Sequence, residues 1–181
     1  PDATASALFA RRDTVQDLRY TYDPSGNITR IADAAHKTVF CDNQQIDAAS
    51  DYAYDALYRL IAASGRERAA AGQYTWDDTA NRIPMPPGDN GALGCYVETY
   101  DYDAAGNILR MVHHDGGNAD SPGAVTWNRR YQYGDGNNRL LGTSLPGDAD
   151  GVFGAAHAYD VHGNTTRMSH LPLMRWDFRD Q

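Results

Sequence analysis

The sequence has very little lysine and no basic cluster, and this shortage argues against nucleic acid as its main partner. Its 181 residues include 16 Lys or Arg and 24 Asp or Glu, which gives a formal net charge of −8. Lys37 is the one lysine, and the arginines are spread along the chain. Contact with a phosphate backbone needs clustered positive charge. We therefore expect no nucleic-acid partner and an acidic surface that favours solubility.

Cysteines and long apolar runs are also scarce. Cys41 and Cys95 are too few for a disulfide framework, and we expect both to be free. No apolar run reaches the roughly 20 residues of a membrane-spanning helix. The opening residues also lack the apolar stretch of a signal peptide. We expect no membrane span, and we interpret residues 1–181 as a single segment of a longer polypeptide.

Tyrosine and turn-forming residues are abundant. The chain has 12 Tyr against 4 Phe, together with 17 Gly. Tyr, Thr and Val favour strands, whereas Gly, Asn and Asp favour the turns between them. The composition predicts an all-β chain with many short strands, and short helices are expected only around Thr4–Asp17 and Gly65–Ala71. The expected loops are residues 88–91, 116–123 and 146–151, with a Pro-rich break at 84–87.

One pattern recurs three times, and we call it the type-one unit. It reads Y-x-Y-D-x-x-G-N-x-x-R-φ, where φ is apolar. It begins at Tyr20, at Tyr100 and at His157, which replaces the first Tyr. Such internal similarity is the signature of a repeat architecture.

A second pattern, the type-two unit, alternates with the first. Tyr52–Ile61 and Tyr131–Leu141 keep the paired aromatic residues, but an Arg-Leu ending replaces Gly-Asn. A double unit of about 80 residues therefore repeats along the chain. This regular alternation indicates one continuous array rather than separate domains.

Each type-one unit is predicted to form a β-hairpin. Asp23 suits the first position of a type I turn, and its carboxylate can accept local N–H bonds. Gly26 supplies the left-handed residue that closes the turn with a bulge. Ile28–Ile31 and Ile108–Met111 are the expected return strands. In type-two units Tyr58 or Asn138 takes the Gly position, and because Tyr tolerates that conformation poorly we expect a different turn at Asp55–Tyr58.

The candidate chemical groups all favour structural roles. Asp23, Asp55, Asp103 and Asp160 recur once per hairpin, as turn residues do, and catalytic residues would instead converge at one place. Tyrosines at every second residue favour cross-strand packing over ligand stacking. The sequence predicts no catalytic, cofactor or metal site. The remaining clusters are interpreted as a polar loop (His113-His114-Asp115), a solvated turn (Asp148–Gly151) and solvated or ion-paired surface (Arg66–Arg68 and Arg129-Arg130).

From about Leu18 to Gln181 these repeats resemble the YD-repeat, or Rhs, family of large bacterial proteins. Asp51–Glu67 and His170–Gln181 are most similar to the shell-forming B and C components of bacterial insecticidal toxin complexes. The resemblance implies a curved strip of antiparallel hairpins within a hollow shell that encloses a toxic C-terminal segment. Some members cut that segment free, but no residue of this chain matches the cleavage region.

The resemblance therefore predicts a secreted bacterial protein in which this chain is a non-catalytic structural segment. Its expected partners are the remainder of the shell, the enclosed toxin and other toxin-complex subunits. The alternative is an extracellular repeat module that binds carbohydrate or protein through its tyrosine-rich surface.

Overall fold

The computed structural model describes residues 14–41, 44–68, 93–169, 171 and 174–179, and their regular structure consists of β-strands. The predicted all-β class is confirmed. The strands are β1 (Leu18–Tyr22), β2 (Ile28–Asp33), β3 (Val39–Cys41), β4 (Gln44–Ile46), β5 (Ala49–Tyr54), β6 (Leu60–Arg68), β7 (Leu93–Tyr102), β8 (Ile108–Asn118), β9 (Ser121–Tyr133), β10 (Leu140–Thr143), β11 (Ala155–Ala156), β12 (Ala158–Tyr159) and β13 (Thr165–Arg167).

Nine of these strands form one antiparallel sheet in the order β1-β2-β5-β6-β7-β8-β9-β10-β11. Neighbours in the sheet are neighbours in sequence, except that the β3–β4 hairpin is inserted between β2 and β5. The sheet is open, with β1 and β11 at its edges. Strands β12 and β13 pair separately. The predicted strip of antiparallel hairpins is therefore confirmed.

A small core forms where the β3–β4 hairpin lies against β7. Ile46 of β4 and Val97 of β7 are 1% and 0% exposed, and Ala62, Leu93 and Val112 are also buried. Burying one such aliphatic side chain stabilises the fold by about 1.5–3 kcal/mol. The inserted hairpin therefore covers part of one sheet face.

The type-one turns have the predicted geometry. In the first, the Asp23 amide donates to the Asn27 carbonyl at 2.9 Å, and the Gly26 amide donates to the Asp23 carbonyl at 3.1 Å. Gly26, Gly106 and Gly163 have φ values of 93°, 93° and 95°, in the left-handed region. Each return strand begins two residues after this glycine, at Ile28, Ile108 and Thr165. The predicted return strands Ile28–Ile31 and Ile108–Met111 are confirmed.

The expectation of a different turn at Asp55–Tyr58 is wrong. Tyr58 adopts φ 61°, and its amide donates to the Asp55 carbonyl as Gly26 does in the first hairpin. The prediction for Asn138 also fails, because Tyr58 is the one non-glycine residue with positive φ in the described part of the chain. The second type-two loop is one residue longer, and the Gly134 amide donates to the Arg139 carbonyl.

This turn geometry predicts opposite effects at two equivalent positions. Gly106→Val should lower the free energy of unfolding by about 1–2 kcal/mol, because a β-branched residue is forced to positive φ. An added Cβ at Gly106 meets no atom within 4 Å, so the cost comes from the strained backbone conformation and not from a steric clash with neighbours. Tyr58→Gly should instead stabilise the chain by about 0.5–1 kcal/mol, because it removes the same strain.

Urea unfolding of both variants measures these changes, with Ala105→Val as the control for added side-chain volume at a turn. A loss at Ala105→Val equal to that at Gly106→Val would contradict the role given to positive φ.

The two expected helices are absent from the residues of these segments that the structure describes, 14–17 and 65–68. Gly65–Arg68 belongs to β6, because the Gly65 backbone pairs with Tyr96 of β7 and the tyrosine ring lies over it. A Cβ at Gly65 would come within 2.9 Å of Tyr96 Cε1. Residues 69–71 and 4–13 lie outside the described residues, and residues 14–17 are not helical.

The loop expected at 116–123 is mostly strand. β8 runs to Asn118 and β9 starts at Ser121, which leaves Ala119 and Asp120 as the connection. The Asn118 side chain makes this possible, since its Oδ1 accepts hydrogen bonds from the Asp120 and Ser121 amides at 3.0 and 2.9 Å. The loop expected at 146–151 is confirmed. The expected loop at 88–91 and the Pro-rich break at 84–87 lie outside the described residues.

Candidate functional site

The aspartate of each type-one unit is fully used by its own turn. Asp103 Oδ1 accepts hydrogen bonds from the amides of Ala105 and Asn107 at 2.9 and 2.8 Å, and its Oδ2 accepts one from Asn107 Nδ2 at 2.8 Å. Asp23 and Asp160 make the same set of bonds. The aspartate and asparagine of the pattern therefore lock one hairpin turn together.

In the first type-two hairpin an arginine takes the place of this asparagine as the side-chain partner of the turn aspartate. Asp55 Oδ1 accepts from the amides of Leu57 and Arg59, and its Oδ2 accepts from Arg59 Nε at 2.7 Å. The longer side chain also reaches the next type-one hairpin, where its Nη1 donates to the Asp103 carbonyl at 3.1 Å. The Arg-Leu ending thus serves both its own turn and the neighbouring one.

Tyrosine hydroxyls link one hairpin to the one before it. Tyr54, Tyr102 and Tyr159 are the second aromatic residues of their units. Their hydroxyls donate to the backbone carbonyls of Ile28, Leu60 and Leu140, at 2.9, 2.7 and 2.9 Å. Each acceptor is the first residue of a return strand.

Arginine adds a second link at the steps that lead into a type-one hairpin. The Arg59 guanidinium lies 4.8 Å from the centre of the Tyr102 ring, and that of Arg139 lies 5.5 Å from the Tyr159 ring. Both distances suit a cation–π contact. We call these tyrosine hydroxyl bonds and arginine stacks together the inter-hairpin seam.

Burial around the seam raises the pKa of Tyr102, and the nearby Arg59 partly opposes the change. The hydroxyl therefore stays protonated across the neutral range and remains a donor to the Leu60 carbonyl. The Tyr102 hydroxyl thus acts as a hydrogen-bond donor within the seam.

A second cluster crosses the sheet on β6, β7, β8 and β9, and we call it the His113 cluster. The His113 ring is 3% exposed and stacks between Tyr96 and Trp127, at centroid distances of 5.3 and 5.1 Å. Its Nε2 lies 3.3 Å from Glu67 Oε2, and its Nδ1 lies 2.7 Å from Thr126 Oγ1.

The interpretation of His113-His114-Asp115 as a polar loop is wrong, because all three residues lie in β8. Adjacent residues of a strand point to opposite faces, and the two histidines differ accordingly: His113 is buried in its cluster, while His114 Nδ1 lies 3.1 Å from the Gly123 carbonyl oxygen. A bulge places Thr126 as an extra residue of β9 opposite this pair.

Carboxylates beside the cluster act on neighbouring tyrosines. Burial, with Glu98 as the next cause, raises the pKa of Tyr96 to about 12. The Tyr100 hydroxyl donates to Glu98 Oε2 at 2.7 Å, and its pKa is raised by burial and by that bond. Both phenols therefore remain neutral donors at physiological pH, which suits packing and not nucleophilic chemistry.

The other candidate residues are dispersed along the strip. Asp148 Oδ2 accepts from the amides of Leu145 and Gly154, so the Asp148–Gly151 turn is held by its own side chain. Arg130 pairs with the fully exposed Asp150 at 3.0 Å, in agreement with the ion-paired surface predicted there. Cys95 is a free, half-buried thiol whose pKa is raised by burial.

A cavity of about 160 Å³ lies beside β9, β10 and β11. Arg129, Thr143, Ser144 and His157 are among the residues of its wall. Among the described residues no three His, Cys, Asp or Glu side chains are grouped to hold a metal ion. None of the described residues belong to a helix that could span a membrane.

The turn carboxylates predict that the chain loses stability in acid. Hydrogen bonds from Asn27 and Asn107 hold the pKa values of Asp23 and Asp103 below the ordinary 3.8. A carboxyl whose folded pKa is depressed stabilises the fold above its unfolded pKa, and this stabilisation disappears as pH falls through the folded value. We therefore expect the free energy of unfolding to fall progressively below about pH 4.

Urea titrations between pH 7 and pH 2 measure this dependence, and Asp103→Asn provides the control. That variant should be less stable at pH 7 but should show a smaller loss between pH 5 and pH 2. An acid dependence identical to that of the original chain would contradict the role of Asp103.

Among known proteins, the chain is similar in sequence to two toxin subunits of Yersinia entomophaga. The chain is 46% identical to "Toxin subunit YenC2" over 99 residues, which are 55% of this chain and 10% of that protein. It is 34% identical to "Toxin subunit YenC1" over 167 residues, which are 92% of this chain and 16% of that protein. The chain thus spans less than a fifth of the length of these curated relatives. No family model matches the chain.

Proposed function

This chain belongs to the YD-repeat (Rhs) family, with two toxin subunits among its relatives, and we propose that it forms a non-catalytic segment of a toxin-encapsulating shell. In this proposal its partners are the rest of that shell, the enclosed toxic segment and other subunits of a secreted bacterial toxin complex. The chain contributes a strip of wall, and the chemistry of the toxin resides elsewhere.

The inter-hairpin seam is the observation that carries the proposal. Three hairpins reach the backbone of the one before them through a tyrosine hydroxyl, that of Tyr54, Tyr102 or Tyr159. Such nearest-neighbour contacts let a sheet grow hairpin by hairpin without closing around its own core. An open strip of this kind can enclose a volume far larger than its own interior, which is what a shell requires.

The turn chemistry supports a structural role over a catalytic one. The turn carboxylates of Asp55 and Asp103 each accept three hydrogen bonds from groups of their own turns. Catalytic groups need partners that converge on a substrate. The repeated aspartates are instead spread along the strip, one to a hairpin.

Limited proteolysis of the full-length protein that carries this chain tests the proposal. We expect its C-terminal segment to resist added protease while the shell is intact. Deletion of Tyr100–Met111 removes the central type-one hairpin, and the segment should then be digested rapidly. Ala105→Ser, a conservative change at an exposed turn, is the matched control and should preserve resistance.

Equal digestion rates in the intact protein and the deletion variant would defeat encapsulation. The second candidate, an extracellular binding module, would then lead. Tyr20 and Tyr22 favour it, since their rings stack at 6.5 Å and are 45% and 57% exposed. A glycan array probed with the chain separates the two functions, because the shell function predicts no specific glycan.

A further inference from the structure

The sheet edge formed by β1 carries the same tyrosine pattern as the seam, but in the described residues no hairpin packs against it. The five residues of β1 are all exposed, whereas β7, which contains the equivalent Tyr100 and Tyr102, is largely buried or half-buried. Tyr22 matches Tyr102 in the type-one pattern, and it is 57% exposed. The difference arises because β7 has β6 on its outer side, while β1 pairs with β2 alone in the described residues.

Elsewhere in the chain, the hairpin that covers the equivalent edge makes the same contacts each time. Tyr102 and Tyr159, both in type-one hairpins, are preceded by type-two hairpins. Each receives an arginine over its ring and donates its hydroxyl to the first carbonyl of the preceding return strand. Tyr54, which follows a type-one hairpin, keeps the hydroxyl bond to Ile28. The arginine therefore belongs to the step from type two to type one.

We propose that β1 and Tyr22 form a docking surface for a type-two hairpin, whose arginine lies over the Tyr22 ring and whose first return-strand carbonyl accepts the Tyr22 hydroxyl. The occupant is an antiparallel β-strand that begins with Arg-Leu, supplied by a YD repeat that precedes this chain. The inference extends the proposed shell function, since it specifies which kind of repeat joins this edge.

Three features of the edge match this occupant. Leu18, Tyr20 and Tyr22 alternate along β1 and so lie on one face of the sheet, where they can flank side chains of a neighbouring strand, as Glu98, Tyr100 and Tyr102 do on β7. The bulge between Thr21 and Tyr22 repeats the one between Asp101 and Tyr102. An exposed sheet edge also offers backbone groups to a further strand.

An N-terminal extension of the full chain tests the proposal. A copy of residues 49–68, the chain's own first type-two hairpin, is placed before Pro1, so that residues 1–17 become the connection to β1. The copy carries Tyr58→Gly, which leaves the chain's own Tyr58 as a distinct internal standard. Tyr58 is 62% exposed at a turn tip and should react equally in every protein compared.

Docking is measured in two ways, by hydroxyl-radical labelling of Tyr22 and by hydrogen exchange of the Leu18–Tyr22 amides. We expect the extension to lower Tyr22 labelling about threefold or more relative to Tyr58, and to slow exchange of the β1 amides about tenfold. An extension of scrambled sequence should change neither. Protection by the scrambled extension, or Tyr22 labelling that stays equal with and without the hairpin copy, overturns the proposal.

Arg59→Ala within the copied hairpin tests whether docking on β1 requires the arginine. Loss of the stack should weaken docking about two- to fivefold, and Tyr22 labelling should rise accordingly. If this variant protects Tyr22 as well as the original copy does, the arginine-specific part of the proposal is overturned. A negative result here leaves the protease test of encapsulation untouched, so the two failures are distinguishable.

Discussion

His113→Ala is expected to lower the free energy of unfolding by about 3–4 kcal/mol, the largest effect of any single substitution considered. The ring fills a buried position between Tyr96 and Trp127, so its removal leaves a cavity and loses two stacking contacts. It also removes one ion-pair partner of Glu67, whose side chain is 16% exposed. Losing a partner of a poorly hydrated carboxylate is costly, because water replaces that contact poorly.

Urea unfolding measures the effect, and His114→Ala is the matched control one residue away on the opposite face. His114 is half-buried and its ring meets one backbone carbonyl, so its loss should cost less than about 1 kcal/mol. His113→Phe keeps the stack but loses Glu67 and Thr126, and we expect an intermediate loss. Equal losses at the two histidines would show that the His113 cluster contributes little.

Tyr102→Ala is expected to lower the free energy of unfolding by about 2–3 kcal/mol. The change removes the hydroxyl bond to the Leu60 carbonyl and the ring surface beneath Arg59. Tyr102→Phe removes the hydroxyl alone and should cost about 1 kcal/mol, the typical net value of one intramolecular hydrogen bond. Both variants are measured by urea unfolding under the same conditions.

A double-mutant cycle isolates the arginine stack. Arg59→Ala and Tyr102→Ala combined should be less destabilising than the sum of the two, with a coupling energy of about 0.5–1 kcal/mol. The control cycle pairs Tyr102→Ala with Arg110→Ala, an exposed arginine of β8. If the Arg59 cycle shows no more coupling than the Arg110 cycle, the seam depends on the hydroxyl bonds alone.

The seam gives a physical reason for the alternation of the two repeat types. An asparagine after the turn, as in Asn107, satisfies its own aspartate at 2.8 Å and reaches the next hairpin only through a longer bond of 3.3 Å to Asn138 Oδ1. An arginine at the same place, Arg59, satisfies Asp55 and then extends to Asp103 and Tyr102 of the next hairpin. Repeats that end in Arg-Leu thus act on the repeat that follows, whereas those that end in Gly-Asn act mainly on themselves.

Much of the strip could be predicted because the type-one turn is a local structure. Asp23 and Asn27 are four residues apart, and a carboxylate, a left-handed glycine and an amide side chain suffice to close the loop. The error at Tyr58 came from applying the steric cost of positive φ without the opposing gain. The bonds of Asp55 to Leu57 and Arg59 outweigh that cost, and the tyrosine side chain points into open solvent.

The His113 cluster could not be read from the sequence in the same way. His113 lies 13 residues from Thr126, and Glu67 belongs to a strand two positions away in the sheet. Its formation depends on the length of β8 and β9 beyond the repeat pattern, and the glycines at 116–117 had suggested a loop. A buried histidine carries no local signal, because its burial is decided by which strands lie beside it.

The sequence by itself thus determined the all-β class, the order of the hairpins and the geometry of the type-one turns, since these depend on contacts over about four residues. Tertiary structure decided the seam and the His113 cluster. Arg59 meets Asp103 across 44 residues, and Tyr102 meets Leu60 across 42. Contacts at such separations exist only after strand pairing has fixed the register, because a shift of one residue would turn every side chain to the other face.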